Sequence, residues 1–80
     1  MRRCAVSITS NITEGFTQFS VRQKIRYYFI ASGSLSELTN QLHIARDVGY
    51  LKQQDATELL QQAIDVHKLL HGLVRSIRKR

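Results

Sequence analysis

The longest regular pattern of apolar residues lies in the middle of the chain and predicts a helix over residues 20–48. Its apolar positions recur at steps of three and four, with one gap of seven, which is the period of a buried helical stripe. Ser20 followed by Gln23 is typical of a capping box at a helix start, and Gly49 is the residue type that favours a left-handed helix end. The stripe consists of Val21, Ile25, Tyr28, Leu35, Leu38, Leu42 and Ala45.

Gly33 is an unusual residue for the middle of this helix. A glycine in a helix interior costs about 1 kcal/mol relative to alanine. We therefore expect a compensating interaction at Gly33, namely the close approach of a neighbouring helix backbone.

A shorter pattern predicts a first helix over residues 2–14, ended by Gly15. The linker that follows, residues 16–19, is short, so the first two helices are expected to be antiparallel neighbours. Nothing before Arg2 could cap this helix, which suggests the downstream part of a longer element. Its apolar side is formed by Ala5, Ile8 and Ile12.

Polar residues follow a second face of the first helix, at Arg3, Ser7, Asn11 and Glu14. One interpretation is a solvated face. The other is a partly buried network in which Asn11 and Glu14 pair with Ser34 or Glu37 beside Gly33 and so fix the register of two helices. The pattern alone favours neither interpretation.

A third helix is predicted over residues 53–78, where apolar residues alternate at steps of four and three as in a heptad seam. Leu60, His67 and Val74 widen this stripe beyond that of a two-stranded coil. Together the patterns predict an all-α, antiparallel helical bundle in one domain, residues 1–80. The seam residues are Ala56, Leu59, Ala63, Val66, Leu70, Leu73 and Ile77.

Composition supports this fold class, because the 80 residues include no proline and only four glycines. Cys4 is the single cysteine, so it cannot form a disulfide within the chain and is expected to be a small buried hydrophobe. With no apolar run long enough for a signal peptide or a membrane span, we expect a cytoplasmic protein without membrane contact.

The net charge of +6 is concentrated toward the two ends of the sequence: residues 1–36 carry +4, residues 37–74 carry −2 and residues 75–80 carry +4. If the fold brings these ends together, they form a basic patch for a polyanion; the alternative is that the charge serves solubility. Basic residues next to Tyr27, Tyr28 and Phe29 are also compatible with base stacking, although Tyr28 lies on the buried stripe. The candidate nucleic-acid-binding residues are Arg2, Arg3, Arg22, Lys24, Arg26, Arg75, Arg78, Lys79 and Arg80.

Side chains suited to catalysis or metal binding are sparse. His67 and His71 have the four-residue spacing of a metal pair, but a third ligand is not evident. Cys4 has no partnering base, and no glycine-rich loop precedes a helix. We therefore expect a non-enzymatic protein without a metal, a cofactor or a small-molecule substrate.

Two sequence blocks resemble a known family. Residues 2–15, RRCAVSITSNITEG, resemble the signature RRAAVSIPSNIAEG of the four-helix bundle proteins named from 23S ribosomal RNA intervening sequences. The second block, GSLSEL at residues 33–38 with QL, IA and GYL following up to Leu51, is similar to the family's second motif. Thr9 stands where the family usually has proline, and Cys4 and Thr13 stand where it usually has alanine.

The resemblance implies a four-helix bundle of which this sequence carries three helices, the family's first helix being absent. A face is then expected to be exposed, with Ile8, Ile12 and part of 59–73 as candidates. The resemblance also implies a homo-oligomer, a pentamer in characterised members, and partners that are either RNA or a retroelement reverse transcriptase. An accessory subunit that binds only protein is the alternative to an RNA-binding protein.

Overall fold

The computed structural model describes residues 2–79 and contains three helices: α1 (Arg2–Thr17), α2 (Val21–Asp47) and α3 (Gln53–Arg78). These residues include no strand, which confirms the all-α fold class. The predicted ranges of α2 and α3 agree with the structure to within one residue, whereas α1 continues past Gly15. None of the three helices has a segment that is both long and apolar enough to cross a membrane.

Both ends of α2 are fixed by local hydrogen bonds. The Ser20 hydroxyl accepts the backbone N–H of Gln23 at 3.4 Å, as expected of an N-cap. At the other end Gly49 has a φ of +87°, its N–H donates to the Arg46 carbonyl, and the Tyr50 N–H donates to the Ala45 carbonyl at 2.8 Å. This pair of bonds is a Schellman motif, so the helix stop predicted at Gly49 is confirmed.

Helix α2 forms the centre of the molecule, with α1 and α3 packed against it. The described residues of α1 and α3 have no Cα atoms within 8 Å of each other, so both helices depend on α2 for their packing. The buried cluster draws on all three helices and consists of Ile8, Tyr28, Ala31, Leu35, Ala63, Leu70 and Ile77. Ala31 fills the gap of seven in the predicted stripe, where a side chain too small to stand out in the pattern is completely buried.

The close approach between helices occurs at Gly15. A Cβ atom at Gly15 would clash with Cε1 of Tyr28, a residue that is only 2% exposed and whose ring meets Phe16 edge-on. Gly15 therefore lies inside α1 as a contact residue, and the prediction that it ends the helix is wrong. Burial also raises the pKa of the Tyr28 phenol above its ordinary value.

The prediction of a close backbone approach at Gly33 is wrong as well. Gly33 is exposed, and a Cβ atom added there would have no described atom within 4 Å. The helical cost of this glycine is therefore not offset by packing against α1 or α3.

Only one of the two seam positions in each heptad of α3 is fully buried. Ala56, Ala63, Leu70 and Ile77 are buried at intervals of seven, whereas Leu59 is exposed and Val66 and Leu73 are half-buried. Leu59 and Val66 face a groove of about 440 Å³ between α1 and α3, floored by α2. The expected exposure is thus found at Leu59, but Ile8 is buried and Ile12 is half-buried.

Candidate nucleic-acid interface

The first part of α2 carries a row of exposed side chains, Arg22, Arg26 and Phe29. Their spacing of four and three places them on one face of the helix. This face is next to the buried stripe, because Ile25 and Tyr28 point toward the other helices. Phe29 is 55% exposed, so most of its ring is accessible to a ligand.

The last turns of α3 carry a second exposed row, His71, Arg75, Arg78 and Lys79. The antiparallel course of α2 and α3 brings this row to the first one. The guanidinium carbon of Arg78 lies 5.8 Å from the centroid of the Phe29 ring, within the range of a cation–π contact.

A groove lies between these two rows, with a volume of about 410 Å³. We call it the basic groove. Its floor is apolar and includes Tyr28, Leu70 and Val74. Its rim is basic and is formed by Arg75, Arg78 and Lys79, and the lining residues include no carboxylate.

Among residues 2–79 no acidic side chain forms an ion pair with the basic side chains of this region. Within residues 2–79 the ion pair is Arg46 with Asp47, at 3.3 Å. Arg46 lies near the end of α2 that is remote from the basic groove. The cations of the two rows are therefore available to an external anion.

Lys24 has a different position from its neighbours Arg22 and Arg26. Its ammonium donates to the backbone carbonyls of Gly15 at 3.1 Å and Phe16 at 3.2 Å. These carbonyls belong to the last turn of α1, where carbonyl groups lack partners within the helix. Lys24 thus caps α1.

The two basic ends of the sequence do not form one patch. Arg2 lines the groove between α1 and α3, beside Leu38 and Leu42. These contacts lie about nine to thirteen residues farther along α2 than Phe29, an axial distance of about 14–20 Å. Arg3, which follows Arg2 on α1, is also exposed there, and Arg80 lies outside the described residues.

The polar network between α1 and α2 contains fewer residues than the sequence predicts. The hydroxyls of Ser7 and Ser34 hydrogen-bond at 2.8 Å, and the Asn11 amide donates to the Ser7 carbonyl at 2.7 Å. Glu14 and Glu37 are both exposed, and the hydrogen bonds of this network join only Ser7, Asn11 and Ser34 among the described residues. The bonds that cross between helices therefore use short neutral side chains.

The surroundings of the two histidines and of Cys4 do not indicate a catalytic or metal-binding site. The rings of His67 and His71 lie 6.4 Å apart, and residues 2–79 contain no group of three potential metal ligands. Cys4 is buried, and its thiol lies 3.7 Å from the side-chain oxygen of Gln41. This position agrees with the expectation of a small packed side chain.

Phe29 and His71 line the basic groove, although the sequence pattern does not assign them to a binding surface. The pattern predicts Phe29 only as one of three consecutive aromatics. Its position seven residues after Arg22 and outside the apolar stripe is the available signal. For His71, which the pattern suggests only as a metal ligand, the signal is its position four residues before Arg75.

Three packed helices with an exposed basic groove define a small all-α helical bundle protein. More particularly, the chain belongs to the 23S rRNA-intervening sequence protein family, whose model matches residues 1–72. The match confirms the resemblance noted in the sequence. No curated protein matches the chain. Arg75, Arg78 and Lys79 lie beyond the matched residues, so the family match does not include the basic rim.

Proposed function

We propose that this protein is a non-enzymatic, self-associating binding protein that presents a basic surface to RNA. The observation that carries the proposal is the set of exposed, unneutralised cations where α2 begins and α3 ends. Such a surface binds phosphates through charge and does not read sequence. The family's name, which refers to an insertion in 23S ribosomal RNA, gives further support.

The binding contribution is expected to differ between the two basic ends. Arg22 and Arg26 are exposed on the same face of α2 as Phe29, which lines the basic groove. Lys24 is engaged at the end of α1, and Arg2 and Arg3 lie apart. We therefore assign the main phosphate contacts to Arg22, Arg26, Arg75, Arg78 and Lys79.

Fluorescence polarisation with a structured RNA, measured over a range of salt concentrations, tests this proposal. Binding should weaken steeply as salt rises, because each phosphate contact releases counterions. The variant R75Q/R78Q/K79Q should bind more weakly, with a salt slope smaller by about two. The matched control R2Q/R3Q/K52Q removes the same charge elsewhere and should change binding much less. No binding of wild-type protein at low salt would refute RNA binding.

Self-association is supported by the large apolar side chains that remain exposed. They occur on all three helices and include Val6, Phe16, Ile30, Ile44, Ile64 and Leu69. Sedimentation velocity should give a mass well above the 9.2 kDa of one chain. A single species of monomer mass at high protein concentration would contradict this part of the proposal.

The alternative function is a scaffold or accessory subunit that binds only protein, such as a retroelement reverse transcriptase. The open apolar groove between α1 and α3 favours it, since a protein segment could fill such a surface. Purification of the protein with one stoichiometric protein partner and without nucleic acid would support this alternative over RNA binding.

A further inference from the structure

The basic groove has two kinds of surface, a floor and a rim, and each favours a different kind of ligand. Its floor of Tyr28, Leu70 and Val74 is apolar, and its rim is cationic. Tyr28 and Leu70 are buried, so the apolar surface open to a ligand belongs to Phe29 and the half-buried Val74. A simple inorganic anion would leave that surface uncovered, and a neutral apolar ligand would leave the rim unpaired. The fitting ligand therefore has an apolar part and an anionic part.

Phe29 defines the shape of the apolar part. Its ring is 55% exposed at the edge of the groove, and Arg78 lies over it at 5.8 Å. An exposed aromatic ring beside an arginine is a surface on which a flat base stacks, because both groups have an accessible planar face. The apolar part of the ligand is therefore expected to be planar.

The size of the basic groove limits the ligand further. Its volume of about 410 Å³ lies within the range of roughly 300–1,000 Å³ that small-ligand sites occupy. The groove is open to solvent, so a ligand bound in it can extend beyond it. These features suit a single unit of a longer polymer.

From this combination we infer that the basic groove binds an unpaired nucleotide of an RNA strand. The base stacks on Phe29 beside Arg78, and the flanking phosphates contact Arg75 and Lys79. A base within a duplex has both faces covered by its neighbours and cannot enter. This inference rests on the proposed RNA binding and specifies single-stranded segments as its target.

The test compares a single-stranded RNA with a blunt RNA duplex of the same total nucleotide number. Wild-type protein should bind the single strand more tightly at equal salt. Phe29→Ala should weaken single-strand binding roughly ten-fold, the loss expected for one stacked base, and should leave the salt slope unchanged because no charge is removed. Phe29→Tyr keeps an aromatic face and should bind like the wild type.

Phe19→Ala is the matched control, since Phe19 is fully exposed in the linker between α1 and α2. It should bind like the wild type. Circular dichroism of both variants checks that the helices are retained. A single strand carrying 4-thiouridine should crosslink on irradiation to the peptide that contains Phe29, and mass spectrometry identifies that peptide.

The outcomes separate this inference from the proposed function. Equal binding of duplex and single strand, with Phe29→Ala indistinguishable from Phe19→Ala, overturns the nucleotide site and leaves RNA binding intact. Crosslinks confined to peptides without Phe29 overturn the site as well. Failure of wild-type protein to bind either RNA overturns both proposals.

Discussion

The two contacts of α2 are built differently. Its contact with α1 is closed by Gly15 against Tyr28 and includes the hydrogen bond between Ser7 and Ser34. Its contact with α3 is an apolar seam, and open grooves lie beside it. A side chain at Gly15 or a shift along α1 would disturb specific atoms, whereas the packed residues on the α3 side have open grooves beside them. The closed contact fixes geometry, and the open one provides surface for binding.

The largest effect is expected from the buried centre of the α2–α3 contact. Leu70 is 1% exposed, so Leu70→Ala should lower the free energy of unfolding by about 3 kcal/mol, through lost burial and the cavity left behind. The nearby Lys68 is exposed, and Lys68→Ala should change the free energy of unfolding by less than about 0.5 kcal/mol. Urea denaturation measures both, and similar losses would show that Leu70 is not the packed residue.

Gly15→Ala tests the closed contact directly. The added Cβ would clash with Cε1 of the buried Tyr28, so the ring or the helix must move. Overpacking of this kind should cost about 2 kcal/mol. Replacing a helical glycine should recover up to about 1 kcal/mol of this, so the variant should be less stable than the wild type. A stabilised Gly15→Ala variant in thermal denaturation would contradict the close approach.

Gly33→Ala should stabilise the protein, in contrast to Gly15→Ala. Because no described atom lies within 4 Å of the added Cβ, only the helical preference for alanine remains. We expect a gain of about 1 kcal/mol in the free energy of unfolding. Destabilisation measured by the same denaturation experiment would mean that a neighbour does cover this position.

The smallest predicted effect is the coupling between Ser7 and Ser34. A double-mutant cycle of Ser7→Ala and Ser34→Ala should give an interaction energy of about 0.5–1 kcal/mol, typical of one neutral hydrogen bond. Ser36 is exposed on the same helix, so a cycle of Ser7→Ala with Ser36→Ala should give none. Equal coupling in the two cycles would argue against a specific bond between the helices.

Much of the fold could be predicted because its signals are local. Helical period, the cap at Ser20 and the left-handed Gly49 depend on neighbours in sequence, and the predicted helix ranges follow the observed ones closely. The roles of Gly15 and Gly33 could not be assigned in this way. Each depends on which residue of another helix lies opposite, and the sequence pattern does not set that register.

The sequence predicts which basic residues belong to the candidate interface, but it does not predict how they are arranged in space. The sequence identifies Arg22, Arg26 and the basic end of α3 as exposed cations. It does not reveal that the packing of α3 against α2 places Arg78 over the ring of Phe29, or that Lys24 caps α1. Long flexible side chains reach several groups from one backbone position, so their partners emerge only with the packing of the helices.

The dependence of α1 and α3 on a shared central helix has a consequence for local opening. Since the backbones of α1 and α3 do not approach each other, either one can detach without breaking the other's backbone contacts. Amide hydrogens in the middle of α2 should then exchange with solvent most slowly, and those of the outer helices should exchange at two independent rates. An excursion of α1 would leave the rim of the basic groove on α2 and α3 in place, so the proposed RNA contact would persist while the opposite side of the molecule briefly opens.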